Sequence, residues 1–159
     1  MTCLGYQDGA LCNTSMIEIA EKIERYIRQL YDDSAPDEVE LMSLELGGIS
    51  GHIDHIVASR AACLAFYRLR QHMPSLARIR LYALPERALP QPNTQWIFMD
   101  KGCRETDMEA VDVTETLEQR IAVIKAHHSQ QLDAEAPLTR CLRDLEQGRK
   151  HVDYFIVRQ

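Results

Sequence analysis

At 159 residues, with 45% hydrophobic and 26% charged residues, the chain has the length and composition of one globular domain able to bury a core. Its formal net charge of -6, with no Lys/Arg cluster, excludes a phosphate backbone as partner, so no nucleic acid is expected. No apolar run approaches the roughly 20 residues that span a bilayer, and Met1 to Asn13 has neither the basic start nor the apolar centre of a signal peptide, so the expectation is a cytoplasmic protein with no membrane partner.

Met1 to Thr14 has no clear periodicity, and Gln7-Asp8-Gly9 is turn chemistry. From Ser15, Met16, Ile19, Ala20, Ile23, Ile27 and Leu30 recur at helical spacing, with Glu18, Glu21, Lys22, Glu24, Arg25 and Arg28 on the solvated side. Ser15 and Glu18 have the spacing of a capping box. Pro36-Asp37-Glu38 then punctuates the chain, and Val39 to Leu46 alternates as a strand.

The next helix, about Asp54 to His72, buries Ile56, Val57, Ala61, Leu64, Ala65 and Leu69 and stops before Pro74. A strand over Ala77 to Leu84 is broken by Pro85, and Pro85 to Gln95 is a proline-rich surface loop. Trp96 to Asp100 and Ala110 to Val113 are predicted strands, separated by a turn at Lys101-Gly102. Helices follow over about Glu115 to Gln130 and Leu138 to Gly148, and Val152 to Val157 closes the chain as a strand. Cys3, Cys12, Cys63, Cys103 and Cys141 form no Cys-x-x-Cys pair and are odd in number, which argues for reduced thiols.

The chemistry concentrates between Gly47 and Arg60. Gly47, Gly48 and Gly51 allow a sharp bend and close backbone approach directly before His52, Asp54 and His55. Histidines three apart share one side of a helical turn. They can hold one metal ion together, or give one ring to a metal and the other to a substrate. Asp54, at the helix start, is favoured there by free N–H groups and the helix dipole, so capping is its simplest use. A strand followed by this loop and a helix delivers the histidines to the carboxyl edge of a sheet, where open α/β sheets bind ligands. Two histidines alone do not complete a catalytic zinc centre, which takes about three protein ligands and an open position.

Gly51-His52-Ile53-Asp54-His55 resembles the Gly-His-Pro-Asp-His segment of the PIG-L/LmbE-like zinc-dependent N-deacetylases. Leu4-Gly5-Tyr6-Gln7-Asp8-Gly9 is similar to the family's Leu-Gly-x-x-Asp-Gly turn. His127-His128-Ser129-Gln130 is similar to its later His-x-Ser-Gln, and Asp153-Tyr154-Phe155 to its terminal acidic-aromatic strand. The family's opening His-Pro-Asp-Asp-Glu does not occur in this sequence; Asp32-Asp33 is a solvated helix end.

The resemblance implies an α/β, Rossmann-like three-layer sandwich with a mostly parallel sheet, lacking the family's first strand. The chain would then be a single domain, the C-terminal two-thirds of the family fold. An edge or core face left open by the missing strand would be covered by a missing segment or by a partner chain, so a homo-oligomer stands among the expectations. No Gly-x-Gly-x-x-Gly is present, so a dinucleotide is not indicated.

The same resemblance implies Zn2+ as cofactor and an N-acetylated amino sugar of the N-acetylglucosamine type as substrate. His55 would be a zinc ligand, His52 would protonate or stabilise the developing oxyanion, Asp54 would orient or cap, and His127 would approach the substrate. The remaining ligands and the general base would come from residues ahead of Met1 in a longer product. The alternative is a catalytically inactive binding or interaction protein that keeps the fold, and a third reading leaves the histidines as helix caps only.

Overall fold

The computed structural model describes residues 3–88, 102–128 and 131–159, the side chains of 131–133 excepted. The strand expected at Trp96 to Asp100 and most of the Pro85 to Gln95 loop lie outside the described residues, as do Ser129 and Gln130. The elements run α1 (Asn13–Ser34), β1 (Val39–Leu44), α2 (Ile53–Arg70), β2 (Leu76–Ala83), β3 (Glu109–Asp112), α3 (Leu117–Ala126), α4 (Gln131–Glu146) and β4 (Val152–Arg158), with short 3-10 turns between several of them. Two compact units result: residues 1–109 with 155–159, and residues 110–154.

In the first unit, α1 begins at Asn13, ahead of the expected Ser15, because Cys12 is its N-cap. The Cys12 N–H donates to Ser15 Oγ at 3.3 Å, and this pairing replaces the expected Ser15–Glu18 box. Glu18 is used one turn onward, 2.8 Å from Lys22. The helix ends at Ala35, in the left-handed region with φ +40, whose N–H returns to the Tyr31 carbonyl at 2.7 Å.

Ile19 and Ala20 of α1 pack on Val57, Ala61 and Ala65 of α2. The small residues let the two backbones approach closely. On the other side of α2, Ala62, Phe66 and Leu69 meet Leu76, Ile79 and Leu81 of β2, forming the main apolar core together with Ile27. β1 and β2 pair in parallel, Leu41 opposite Ile79 and Ser43 opposite Leu81. This is a strand–helix–strand crossover, the geometry that makes neighbouring strands parallel. Buried Ser59 donates its hydroxyl to the Leu44 carbonyl and so ties α2 to the last residue of β1.

Among the described residues four strands form a sheet in the order β1-β2-β4-β3. In the second unit the Val113 N–H, just past β3, donates at 2.9 Å to the His151 carbonyl, just before β4. The end of one strand therefore meets the beginning of the other, as antiparallel pairing requires. The chain is α/β, as expected, but the sheet is mixed, which corrects the mostly parallel expectation. Two helices, α3 and α4, separate β3 from β4, so the chain direction is reversed an additional time before pairing. Leu117, Ile121 and Cys141 form the core of this unit, with Ile124, Leu138 and Leu142 against it. α4 starts at Gln131 and carries Pro137 inside it, where a start at Leu138 was expected.

Candidate functional site

β1 ends at Leu44, and the bend from Glu45 to Gly51 carries the chain to the start of α2. Gly48 has φ +71 and is buried. A Cβ there would lie 2.8 Å from His55 Cβ and 2.9 Å from the Ile56 nitrogen, so the bend can pass α2 only with glycine in place. Ile49 follows at φ +62, a conformation that a β-branched residue seldom adopts.

His52 is the N-cap of α2, and its Nδ1 accepts the Asp54 N–H at 3.3 Å. The Asp54 carboxylate, expected to cap its own helix, instead accepts the Gly9 N–H at 2.6 Å and the Leu11 N–H at 3.0 Å. It thereby fastens the segment ahead of α1 to the first turn of α2. Partial desolvation pushes the Asp54 carboxyl up, but the Gly9 and Leu11 bonds outweigh it, helped by the fields of His52 and His55, and hold it below its ordinary value.

The two histidine rings have centroids 5.3 Å apart and are tilted by 48°. Their hydrogen bonds give them different tautomers. Nδ1 of His55 lies 3.2 Å from the Gly48 carbonyl oxygen, which only accepts, and 3.4 Å from Ser50 Oγ, whose hydroxyl reaches the same carbonyl at 3.5 Å, so the arrangement favours the proton on Nδ1 and the lone pair on Nε2. His52 uses Nδ1 as an acceptor, so a neutral His52 ring carries its proton on Nε2. One ring therefore offers a metal-ligating lone pair, and its neighbour offers an N–H donor.

Asp8, His52 and Asp54 each bring one ligand-type atom to within 4.8 Å of the others. The two carboxylates suit a divalent cation such as zinc, whereas His52 has one nitrogen on the Asp54 N–H and the other carrying the proton. His55, the expected zinc ligand, is not a member of this group; its Nδ1 contact with the Gly48 carbonyl is of the kind that a ligating histidine makes with its second ring nitrogen. Sequence reasoning treated Asp8 only as part of a turn. Its signal was the acidic residue within the Leu-Gly-x-x-Asp-Gly stretch. Glu45 was also missed, and its signal was a carboxylate placed shortly before a Gly-Gly bend.

His127 belongs to the second unit, where it is exposed and C-caps α3 with Nδ1 3.0 Å from the Val123 carbonyl. Its expected substrate role rests on the resemblance alone. In that unit a buried group not anticipated from the sequence joins Asp144 Oδ2 to His151 Nδ1 at 2.7 Å and His151 Nε2 to Cys141 Sγ at 3.8 Å. Among the described residues no helix is long and apolar enough to cross a membrane.

No family model, no curated protein and no solved structure matches this chain.

Proposed function

We propose that the glycine bend is part of a zinc centre and that the chain acts in zinc-dependent hydrolysis of an amide, as an N-deacetylase on an N-acetylglucosamine-type substrate. The observation that supports this most is the His55 Nδ1 contact with the Gly48 carbonyl, which leaves Nε2 free to ligate. His55 would hold the ion, and the Asp8 and Asp54 carboxylates, which lie close to one another, would be the further donors. When bound, zinc supplies Lewis-acid polarisation of a carbonyl and eases deprotonation of water. His52, with its proton on Nε2, can donate to the oxygen on which negative charge develops as the amide carbon becomes tetrahedral. A Rossmann-like arrangement, built on the β1-α2-β2 crossover, and a cytoplasmic setting belong to the same proposal.

A second reading, a binding or interaction protein without catalysis, is favoured by two facts. The sequence contains no His-Pro-Asp-Asp-Glu, and both Asp54 oxygens are already engaged by backbone N–H groups. Calorimetric titration of the chain with Zn2+, alongside acetate release from an N-acetylglucosaminide, separates the two. Stoichiometric zinc binding that His55→Ala abolishes, together with acetate release, supports the hydrolase. No zinc uptake and no acetate release overturn it in favour of the second reading.

A further inference from the structure

Three N–H groups of the bend converge on one residue. Glu45 Oε2 accepts the Gly47 N–H at 2.6 Å, Glu45 Oε1 accepts the Ile49 N–H at 2.7 Å, and the Gly48 N–H goes to the Glu45 carbonyl at 2.9 Å. The Gly47 and Ile49 N–H groups, two residues apart, meet one carboxylate, as backbone N–H groups do around an anion. Here the chain supplies the anion itself. Gly47 leaves the necessary room, since a Cβ there would lie 2.9 Å from Glu45 Oε1. The left-handed backbone of Ile49, at φ +62, persists only if its surroundings over-determine it, and the carboxylate does so directly.

The peptide held between the two clamped N–H groups is the one whose carbonyl matters. The Gly48 oxygen accepts the Ser50 N–H at 2.6 Å and faces His55 Nδ1 at 3.2 Å. We infer that Glu45 is a positioning residue for His55: by bridging Gly47 and Ile49 its carboxylate aims the Gly48 carbonyl at Nδ1 and so keeps the His55 Nε2 lone pair free. The tautomer is read from the bend, where the Gly48 carbonyl and Ser50 Oγ both face Nδ1, whereas its use toward zinc rests on the function proposed above.

The test uses the whole chain with Glu45→Gln, whose amide cannot accept both N–H bonds, and Glu45→Asp, whose shorter arm cannot span them. Long-range proton–nitrogen spectra at about pH 8.5, where imidazoles are neutral, report each histidine tautomer. The wild type is expected to show His55 protonated on Nδ1, and both variants to shift it severalfold toward Nε2–H. The ring signals of Phe66, buried among Leu69, Leu76 and Ile79 in the same unit, should be kept and so show that the variants fold. In Zn2+ titrations the variants should bind on the order of tenfold more weakly, the usual effect of losing an outer partner of a ligating histidine.

An unchanged His55 tautomer in whichever variant folds overturns the inference, whether or not zinc binds. A tautomer shift in a chain whose wild type takes up no zinc upholds Glu45 as the positioning residue and rejects the metal reading instead.

Discussion

Asp54 Oδ2 accepts the backbone N–H of Gly9 at 2.6 Å across a sequence separation of 45 residues, so the first turn of α2 anchors the segment ahead of α1. Replacing this carboxylate with an amide removes one of its two backbone acceptors. Asp54→Asn should cost about 1 kcal/mol.

The same bond predicts a pH dependence. The folded carboxyl is held below its ordinary value, so its contribution is complete above the unfolded aspartate pKa of about 3.9 and is lost as pH falls through the lower folded value. Thermal unfolding of wild type and Asp54→Asn between about pH 6 and about pH 2 should show a stability difference that vanishes at the acid end. A difference that stays constant across the range would contradict this account.

Two glycines with similar backbone angles should respond very differently to alanine. Gly9, at φ +74, has nothing within 4 Å of the place a Cβ would take, so Gly9→Ala should cost only the left-handed conformation, roughly 1–2 kcal/mol. Gly48→Ala adds a clash at 2.8 Å with His55 Cβ and at 2.9 Å with the Ile56 nitrogen. Its cost should exceed about 3 kcal/mol, and the His55 ring should lose its Gly48 contact. Denaturant titration of both variants, read beside the His55 ring signals, checks the contrast.

Cys12 should be more reactive than Cys3, Cys63 and Cys141. The Ser15 hydroxyl, followed by the Ser15 and Thr14 backbone, lowers its pKa to about 7, and it is exposed at the N-terminus of a long helix. Burial pushes the Cys63 and Cys141 thiols up. Iodoacetamide at neutral pH, followed by peptide mapping, should label Cys12 before Cys3, Cys63 and Cys141, and Ser15→Ala should slow that labelling. Equal rates at Cys3 and Cys12 would refute it.

The Asp144–His151 pair, 2.7 Å apart and buried, should matter to the second unit out of proportion to its size. Truncating the ring removes the short partner of the buried Asp144 carboxylate and leaves it, among the described residues, only Arg143, at 3.8 Å, so His151→Ala should cost about 2 kcal/mol. Chemical denaturation gives the value, and a loss under about 1 kcal/mol would mean that water replaces the missing ring.

Helices α1 and α2, the strands β1 and β2 around α2, and the glycine bend were legible in the sequence because each depends on residues a few positions apart, whereas α4 starts at Gln131 and not at the expected Leu138. Spacing of Ile19, Ile23 and Ile27 sets the buried stripe of α1, and Gly48 before a helical run marks a bend that needs glycine. Which residue caps which helix was less legible, since Cys12, Ser15 and Glu18 all offered suitable atoms and Lys22 competed for Glu18.

Tertiary structure alone decided that Asp54 would hold Gly9 rather than cap α2, that β3 and β4 would run antiparallel, and that Cys141, Asp144 and His151 would meet in a buried group. Those outcomes turn on which surfaces exclude water together once distant segments pack. Local periodicity records which face of an element is apolar, and it carries no information about the partner that will cover it.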